Sequence, residues 1–320
     1  MIPAAPIFVW SHLDSRAREH LCAATHGERL HFANKFAPAP GDEAAFRDAE
    51  ICFGNVPAEW LDCAPRLRWM QLESVGFDYY RKLDRTRLAP GFVLTNLHGQ
   101  FARPAAETAL AGLLALQRGL DELIPAQRDR RWICLDVRPR MRLLHGCRAI
   151  VLGAGTIGLR LRDLLRAFEC HVDVFARHSS EATVPTAAAL DALLPECDVI
   201  ACCLPSTPET CGFFDAARLG RLPPHALFVN VGRGSVVDER ALVACLQHGR
   251  IGGAMIDVSY DELIPSDHPL WTCPRTILTQ HTGGGYADEL LDKARTFTLN
   301  LARYRRGEPL ANVVNVARGY

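Results

Sequence analysis

Short apolar runs alternate with amphipathic stretches along most of the chain. Over residues 1–98 the runs Ile7-Phe8-Val9-Trp10, Ile51-Cys52-Phe53-Gly54, Trp69-Met70-Gln71-Leu72 and Phe92-Val93-Leu94-Thr95 read as strands, with helical spacing between some of them. Strands alternating with helices predict a parallel sheet, because parallel neighbours need a crossover connection. From Ala102 to about Leu120 alanine and leucine fall at helical spacing and no proline follows Pro104. A long buried helix opened by Pro104 in its first turn is expected there. Residues 121–145 are polar and arginine-rich (Gln127-Arg128-Asp129-Arg130-Arg131, then Arg138-Pro139-Arg140) and read as a solvated connector.

A second series follows: Ala149-Ile150-Val151-Leu152, Val172-Asp173-Val174-Phe175, Val199-Ile200-Ala201-Cys202, Leu227-Phe228-Val229-Asn230, Ala254-Met255-Ile256-Asp257 and Thr276-Ile277-Leu278-Thr279. Six short strands separated by helical segments describe a doubly wound sheet. A last amphipathic helix is expected over residues 287–306. Two such series fit a chain of 320 residues, since domains run to roughly 150 residues each.

Composition narrows the classes. Lys plus Arg number 36 and Asp plus Glu 36, so the formal net charge is zero. That balance argues against a broad basic footprint for nucleic acid and against an acidic solvating tail. Any charged ligand must then be held by a local constellation. The 12 cysteines are scattered, with an adjacent Cys202-Cys203 pair and no C-x-x-C. A reduced, cytoplasmic chain without a metal site is expected. The start, M-I-P-A-A-P-I-F-V-W-S-H, lacks a basic segment of the signal-peptide kind, and no apolar stretch reaches the 18 residues a membrane span needs.

The sharpest local motif is Ile150-Val151-Leu152-Gly153-Ala154-Gly155-Thr156-Ile157-Gly158, an apolar strand running through G-x-G-x-x-G into a helix. Gly153 permits a tight turn, Gly155 lets backbone amides approach a pyrophosphate, and Gly158 lets the helix pack closely. The phosphates would sit on the helix N-terminus, where free N–H groups favour negative charge. The motif expects an Asp or Glu at the end of the second strand, to bind a ribose 2′-hydroxyl. That strand ends Phe175-Ala176-Arg177-His178-Ser179-Ser180, with Asp173 too early and Glu181 beyond the turn. Arg177 can grip a 2′-phosphate that a carboxylate would repel. The preferred cofactor is therefore expected to be NADP(H), with NAD(H) the alternative.

Four further segments, with this loop, resemble the D-isomer-specific 2-hydroxyacid dehydrogenases, and most nearly their glyoxylate/hydroxypyruvate reductase branch. Leu67–Asp78 resembles the family's substrate-carboxylate loop, and Cys197-Asp198-Val199-Ile200 leading to Leu204-Pro205 and Thr207-Pro208-Glu209-Thr210 its second nucleotide-contacting turn. Asn230-Val231-Gly232-Arg233-Gly234-Ser235-Val236-Val237-Asp238-Glu239 is similar to its arginine signature. Asp257-Val258, Glu262, His268-Pro269-Leu270-Trp271 and Leu278-Thr279-Gln280-His281 follow its closing signature. Two departures stand out: Glu262-Leu263-Ile264-Pro265 keeps only the last proline of Glu-Pro-Leu-Pro, and Gln280 replaces a proline.

The resemblance implies an α/β fold of two doubly wound parallel-sheet domains, a flavodoxin-like substrate domain (1–98 and 286–320) and a Rossmann dinucleotide-binding domain (99–285), with the active site in the cleft. It implies a catalytic trio of Arg233, Glu262 and His281. The residue chemistry agrees: a guanidinium holds a carboxylate bidentately, and a histidine oriented by a carboxylate can deliver a proton. Gly283-Gly284-Gly285 reads as leaving room around His281. Substrate contacts are expected at Ser74, Val75, Gly76, Arg233 and His281. Cofactor contacts are expected at Gly153, Gly155, Thr156, Ile157, Gly158, Arg177, His178, Ser179, Leu204, Pro205, Thr210, Val231, Asp257 and Gly283. The reading is reduction of a small 2-keto acid by a homodimer that binds neither nucleic acid nor membrane. The enzymatic alternative is NAD-dependent oxidation of a bulkier 2-hydroxy acid or of phosphite. The alternative from another class is a nucleotide-sensing, corepressor-like binding protein.

Overall fold

The apolar runs become strands wherever both of their faces are covered. The computed structural model describes residues 5–25, 27–81 and 88–315. The chain divides into two units, Met1–Gln100 with Tyr286–Tyr320, and Phe101–Gly285.

The first unit holds strands β1 (Ile7–Trp10), β2 (Leu30–Phe32), β3 (Ile51–Gly54), β4 (Trp69–Gln71) and β5 (Val93–Thr95). They form one parallel sheet in the order β2-β1-β3-β4-β5. Every residue of β1, β3 and β4 is buried, so these strands read as continuous apolar runs rather than alternations. Strand β2 went unread because Leu30-His31-Phe32 is a half-buried edge of three residues with a histidine at its centre. Helix α1 (Ser15–Ala24), capped by Asp14 through the Ala17 amide at 2.8 Å, packs beside α11 (Glu289–Arg305). The rings of Phe53 and Trp69 stack on Phe297 of α11 at 4.8 and 5.1 Å. Buried Asn300 donates to Gln71 Oε1 at 3.0 Å. This layer is why residues 286–315 belong with the N-terminal sheet.

The second unit holds β6 (Arg148–Leu152), β7 (His171–Phe175), β8 (Val199–Cys202), β9 (Leu227–Asn230), β10 (Gly253–Ile256) and β11 (Thr276–Leu278), in the parallel order β11-β10-β9-β8-β6-β7. A single parallel bridge joins Val184 to Phe175 beyond β7. In each sheet the chain runs from a central strand to one edge and returns past it: β1 to β2 then β3, and β6 to β7 then β8. Doubly wound sheets bind ligands outside the strand C-termini at such reversals. The remaining helices of the unit are α4 (Ala102–Gln117), α5 (Leu120–Arg128), α6 (Cys134–Val137), α7 (Thr156–Ala167), α8 (Ala187–Leu193), α9 (Ala216–Leu219) and α10 (Glu239–Gln247).

Two expectations for this unit need correction. The long helix stops at Gln117, because Gly119 takes a left-handed conformation (φ +66°) and the chain restarts as α5. Residues 121–145 are mostly exposed, as a solvated connector would be, but they are not irregular: they carry α5 and α6 and are pinned by ion pairs. Arg275 binds both oxygens of Asp121 at 3.0 and 3.1 Å and the Leu116 carbonyl at 2.7 Å, while Arg140 grips Glu122 bidentately at 2.8 and 2.7 Å. Part of the arginine enrichment there is spent on internal ion pairs.

Candidate active site

The glycine loop joins β6 to α7. Gly153 has φ +110° and its amide donates to the Phe175 carbonyl at 2.8 Å, closing the turn against β7. A methyl on Gly158 would run into the Gly153 carbonyl, so only glycine lets the helix start this close to the loop. Gly155 is the N-cap of α7, with no side-chain cap, and an added Cβ there meets nothing within 4 Å. The amides at the start of α7, among them Thr156 and Ile157, are thus left without the side-chain acceptors that Asp14 and Asp238 give to α1 and α10. Uncapped amides behind an open glycine suit an anionic pyrophosphate.

Beyond β7 lie exposed Arg177 and His178, with half-buried Ser179. Arg177 has no ion-pair partner among the described residues. Glu181, the nearest carboxylate after the turn, is bound to Arg162 of α7 at 2.5 Å, and Asp173 accepts from Thr183 at 2.7 Å. Neither acid is placed as a ribose ligand in the manner of the missing one. On the far side of the reversal, Leu204 is buried and Pro205 half-buried. The Thr210 hydroxyl donates to the Pro205 carbonyl at 2.6 Å and holds that loop shut. Val231 is buried, its amide bonded to the Cys202 carbonyl at 3.0 Å. Cys202, in β8, is an inert core thiol whose burial pushes its pKa up to about 12.

In the first unit, Ser74-Val75-Gly76 follows β4. Its three carbonyls are taken: Ser74 by the Leu97 amide at 3.1 Å, Val75 by Asn96 Nδ2 at 2.8 Å, and Gly76 by the Ser74 hydroxyl at 2.7 Å. Among the described residues none accepts from the amides of Ser74, Val75 or Gly76. A loop with its acceptors satisfied and its donors unspent is suited to a carboxylate. Asn55, after β3, fixes it further, accepting from the Glu73 amide and donating to Ser74 Oγ, both at 3.0 Å. Buried Glu73 beneath it accepts from Ser11 Oγ at 2.6 Å and pairs with Lys35. Asn55 and Asn96 were not anticipated, since nothing in their local sequence marks them, and Glu73 lies within the Leu67–Asp78 segment but was given no role.

The remaining group lies in the second unit. Arg233 follows β9 in extended backbone (φ −144°), half-buried, with Nη1 donating to the Gly232 carbonyl at 2.7 Å. The glycines beside it answer to close approach: a methyl on Gly232 would stand 2.6 Å from the Leu204 carbonyl, and one on Gly234 would strike the backbone of Ser259 and Tyr260. The second contact abuts the segment that carries Glu262. Glu262 Oε2 meets His281 Nδ1 at 2.7 Å, with both side chains 50% exposed. That leaves the far imidazole nitrogen, Nε2, without a described partner. The indole of Trp271 donates to the Pro265 carbonyl at 2.8 Å and so supports the Glu262 loop. The expected reason for Gly283-Gly284-Gly285 is revised. A Cβ at Gly283 would stand 2.6 Å from Asp257 Oδ2 and one at Gly284 2.9 Å from the Phe101 ring, so those two glycines serve tight packing rather than open space. Among the described residues no cluster of three or more His, Cys, Asp or Glu is arranged for a metal, and no helix is long and apolar enough to cross a membrane.

Comparison with known proteins gives the chain's relatives. Residues 110–283 match the model of the D-isomer specific 2-hydroxyacid dehydrogenase NAD binding domain. The chain is 33% identical over 275 residues to glyoxylate/hydroxypyruvate reductase B of Pectobacterium carotovorum, covering 82% of this chain and 83% of that one. It is 30% identical over 297 residues to the glyoxylate reductase of Aeropyrum pernix, covering 88% of each. Among solved structures it is similar to a D-isomer specific 2-hydroxyacid dehydrogenase from Xanthobacter autotrophicus in complex with NADPH and MES, with TM-score 0.82, 28% identity, and coverage of 99% and 100%.

Proposed function

The chain belongs to the D-isomer-specific 2-hydroxyacid dehydrogenases, which are oxidoreductases, and from there we propose that it reduces a small 2-keto acid of the glyoxylate or hydroxypyruvate type. The observation that carries this reading is the Glu262–His281 pair at 2.7 Å, which fixes one imidazole nitrogen and leaves the other for the substrate. Two named relatives, a glyoxylate reductase and a glyoxylate/hydroxypyruvate reductase, support the substrate class. NADP(H) is the preferred cofactor, supported by Arg177, which has no ion-pair partner among the described residues, by the absent acid after β7 and by the NADPH held by the Xanthobacter relative. NAD(H) is the alternative.

When bound, the reduced nicotinamide supplies a hydride to the carbonyl carbon. The chain's own groups do the rest. The amides of α7's first turn hold the pyrophosphate, and Arg177, with His178 and Ser179 beside it, faces the 2′-phosphate. The free amides of Val75 and Gly76 take the substrate carboxylate. Arg233 is suited to bind a carboxylate and to polarise the adjacent ketone oxygen. His281 delivers a proton from Nε2 to that oxygen, and Glu262 holds the ring with Nε2 outward.

We also infer a homodimer in the cytoplasm. Leu120, Ile124, Trp132, Leu135 and Leu143 are 41, 48, 91, 81 and 62% exposed within one stretch of the second unit, and exposed apolar groups gathered in this way favour a covering partner. All 12 cysteines are free thiols, which suits a reducing compartment. Light scattering on Trp132→Asp should show monomer where the parent runs as a dimer.

The functional test is NADPH oxidation over glyoxylate, hydroxypyruvate, pyruvate and bulkier 2-keto acids, beside formate and phosphite oxidation. Turnover confined to formate or phosphite, or none at all, overturns the reading. Arg177→Ala should raise KM for NADPH about ten- to a hundredfold, the loss of one or two charge-assisted bonds, and leave KM for NADH unchanged. A parent enzyme that prefers NADH overturns the cofactor assignment.

A further inference from the structure

His281 and the residue before it share an unusual backbone. Gln280 has φ +52° and His281 φ +55°, both left-handed and neither glycine. Such residues are disfavoured by contact between Cβ and the following carbonyl, and two in succession persist only where surrounding structure dictates them. The surrounding structure here is one buried carboxylate. Asp257, at the end of β10, is 7% exposed. Its Oδ1 accepts from Thr279 Oγ1 at 2.6 Å and from the Gly283 amide at 3.0 Å. Its carbonyl accepts from the His281 amide at 2.6 Å. The same side chain therefore grips the turn just before and just after the left-handed pair, while its backbone holds the middle. Thr108 of α4 closes the far end through the Gly283 carbonyl at 3.2 Å.

Packing does not fix the imidazole, since half of its side chain is exposed. Its direction is set by Glu262 at one nitrogen and by the backbone from which it projects. Charge-assisted bonds from a carboxylate to a hydroxyl and an amide are strong enough to hold such a turn.

We propose that Asp257 and Thr279 are positioning residues for proton transfer, clamping the 279–283 turn so that His281 presents Nε2 toward the substrate oxygen. This inference rests on the reading of His281 as the proton donor. It gives Asp257 a task separate from contact with the cofactor, and Thr279 its first. It also accounts for the residue at 280: proline is locked near φ −65° and cannot enter this turn, whereas glutamine can.

The test uses the intact protein and five variants: Thr279→Val, Thr279→Ser, Gln280→Gly, Gln280→Pro and His281→Ala. For each, kcat, the KM values for NADPH and the 2-keto acid, and Tm are measured. Thr279→Val should lower kcat about ten- to a hundredfold, the penalty of a misplaced catalytic group, with KM for NADPH within about twofold of the parent. Thr279→Ser, which keeps the hydroxyl, should restore kcat. Gln280→Gly, at ease with positive φ, should retain kcat, and Gln280→Pro should fall toward His281→Ala. Parental kcat in Thr279→Val or Gln280→Pro overturns the clamp, and so does a Thr279→Ser enzyme as slow as Thr279→Val. Should Thr279→Val not fold, the Gln280 pair decides. Parental kcat in His281→Ala instead removes the proton-donor reading itself, so the two failures are distinguishable.

Discussion

Two glycines in the phosphate loop should separate folding from binding. At Gly158 an added methyl drives into the Gly153 carbonyl and lies 3.2 Å from a Val151 methyl. Helix or loop must give way by about 1 Å, and overpacking against backbone that cannot rotate aside falls in the upper part of the usual range, about 2–3 kcal/mol. Alanine's higher helix propensity returns about 1 kcal/mol, so the clash wins by about 1–2 kcal/mol. For a unit of this size that lowers Tm by about 2–8 °C. Gly155→Ala differs in kind. Its backbone is extended (φ −78°, ψ 179°) and its Cβ meets nothing within 4 Å, so Tm should fall by only about 1–4 °C, from the ~0.5–1 kcal/mol by which alanine is a poorer N-cap than glycine. Yet that Cβ occupies the open side from which phosphate must approach the α7 amides. Displacing one charge-assisted bond weakens NADPH binding about tenfold or more. Thermal unfolding and NADPH fluorescence titration read the two effects independently. A Gly155→Ala protein that binds NADPH like the parent would refute the placement of the pyrophosphate, and an unshifted Tm in Gly158→Ala would refute the steric account.

Other consequences can be checked with the same material. Phe297→Ala removes the ring that Phe53 and Trp69 stack on and should destabilise the first unit by about 3–5 kcal/mol in chemical denaturation. Arg275→Met leaves Asp121 buried without its cation; burial already raises that carboxyl's pKa, and Arg275 opposes the rise. The variant should be about 3 kcal/mol less stable at neutral pH, and the deficit should shrink as pH falls and Asp121 is protonated, since the charge is what burial penalises. Burial holds the Cys197 and Cys202 thiols near a pKa of about 12, against an ordinary 9.0. An unfolded chain ionises these thiols first, so their contribution is intact below pH 9 and is lost as pH rises toward 12. Native alkylation at pH 8 should accordingly reach exposed Cys22, Cys63, Cys134 and Cys211 and spare those two.

What the sequence disclosed depended on how local each signal was. The strand, glycine loop and helix from Ile150 to Phe168 are contiguous, so pattern and chemistry reinforce each other within about twenty residues. Arg233, Glu262 and His281 were singled out through motif resemblance alone, and of these the structure shows Glu262 and His281, 19 residues apart, in contact at 2.7 Å. The clamp at Asp257 was not legible. Thr279 and Gly283 stand 22 and 26 residues from it, and no periodicity marks a hydroxyl that will face a distant carboxylate. Helix α5 was hidden for another reason. Its arginine-rich surroundings resemble solvated chain until Arg275, 154 positions from Asp121, supplies the partner. Strand β2 was simply too short and too wet to register as an apolar run.

The placement of α11 bears on how this protein is made. The second unit is one unbroken stretch, Phe101–Gly285, whereas the first combines residues 1–100 with a helix coded after that stretch. Until Phe297 and Asn300 emerge during translation, the side chains of Phe53, Trp69 and Gln71 lack the part of their cover that α11 supplies, and only α1 packs on that face. Domains generally fold as units in the order synthesised. Here the later-coded nucleotide-binding unit can finish first, while the N-terminal sheet waits as a sticky nascent surface until α11 follows. Chaperone demand and aggregation during expression should therefore track substitutions in α11 more closely than those in α7.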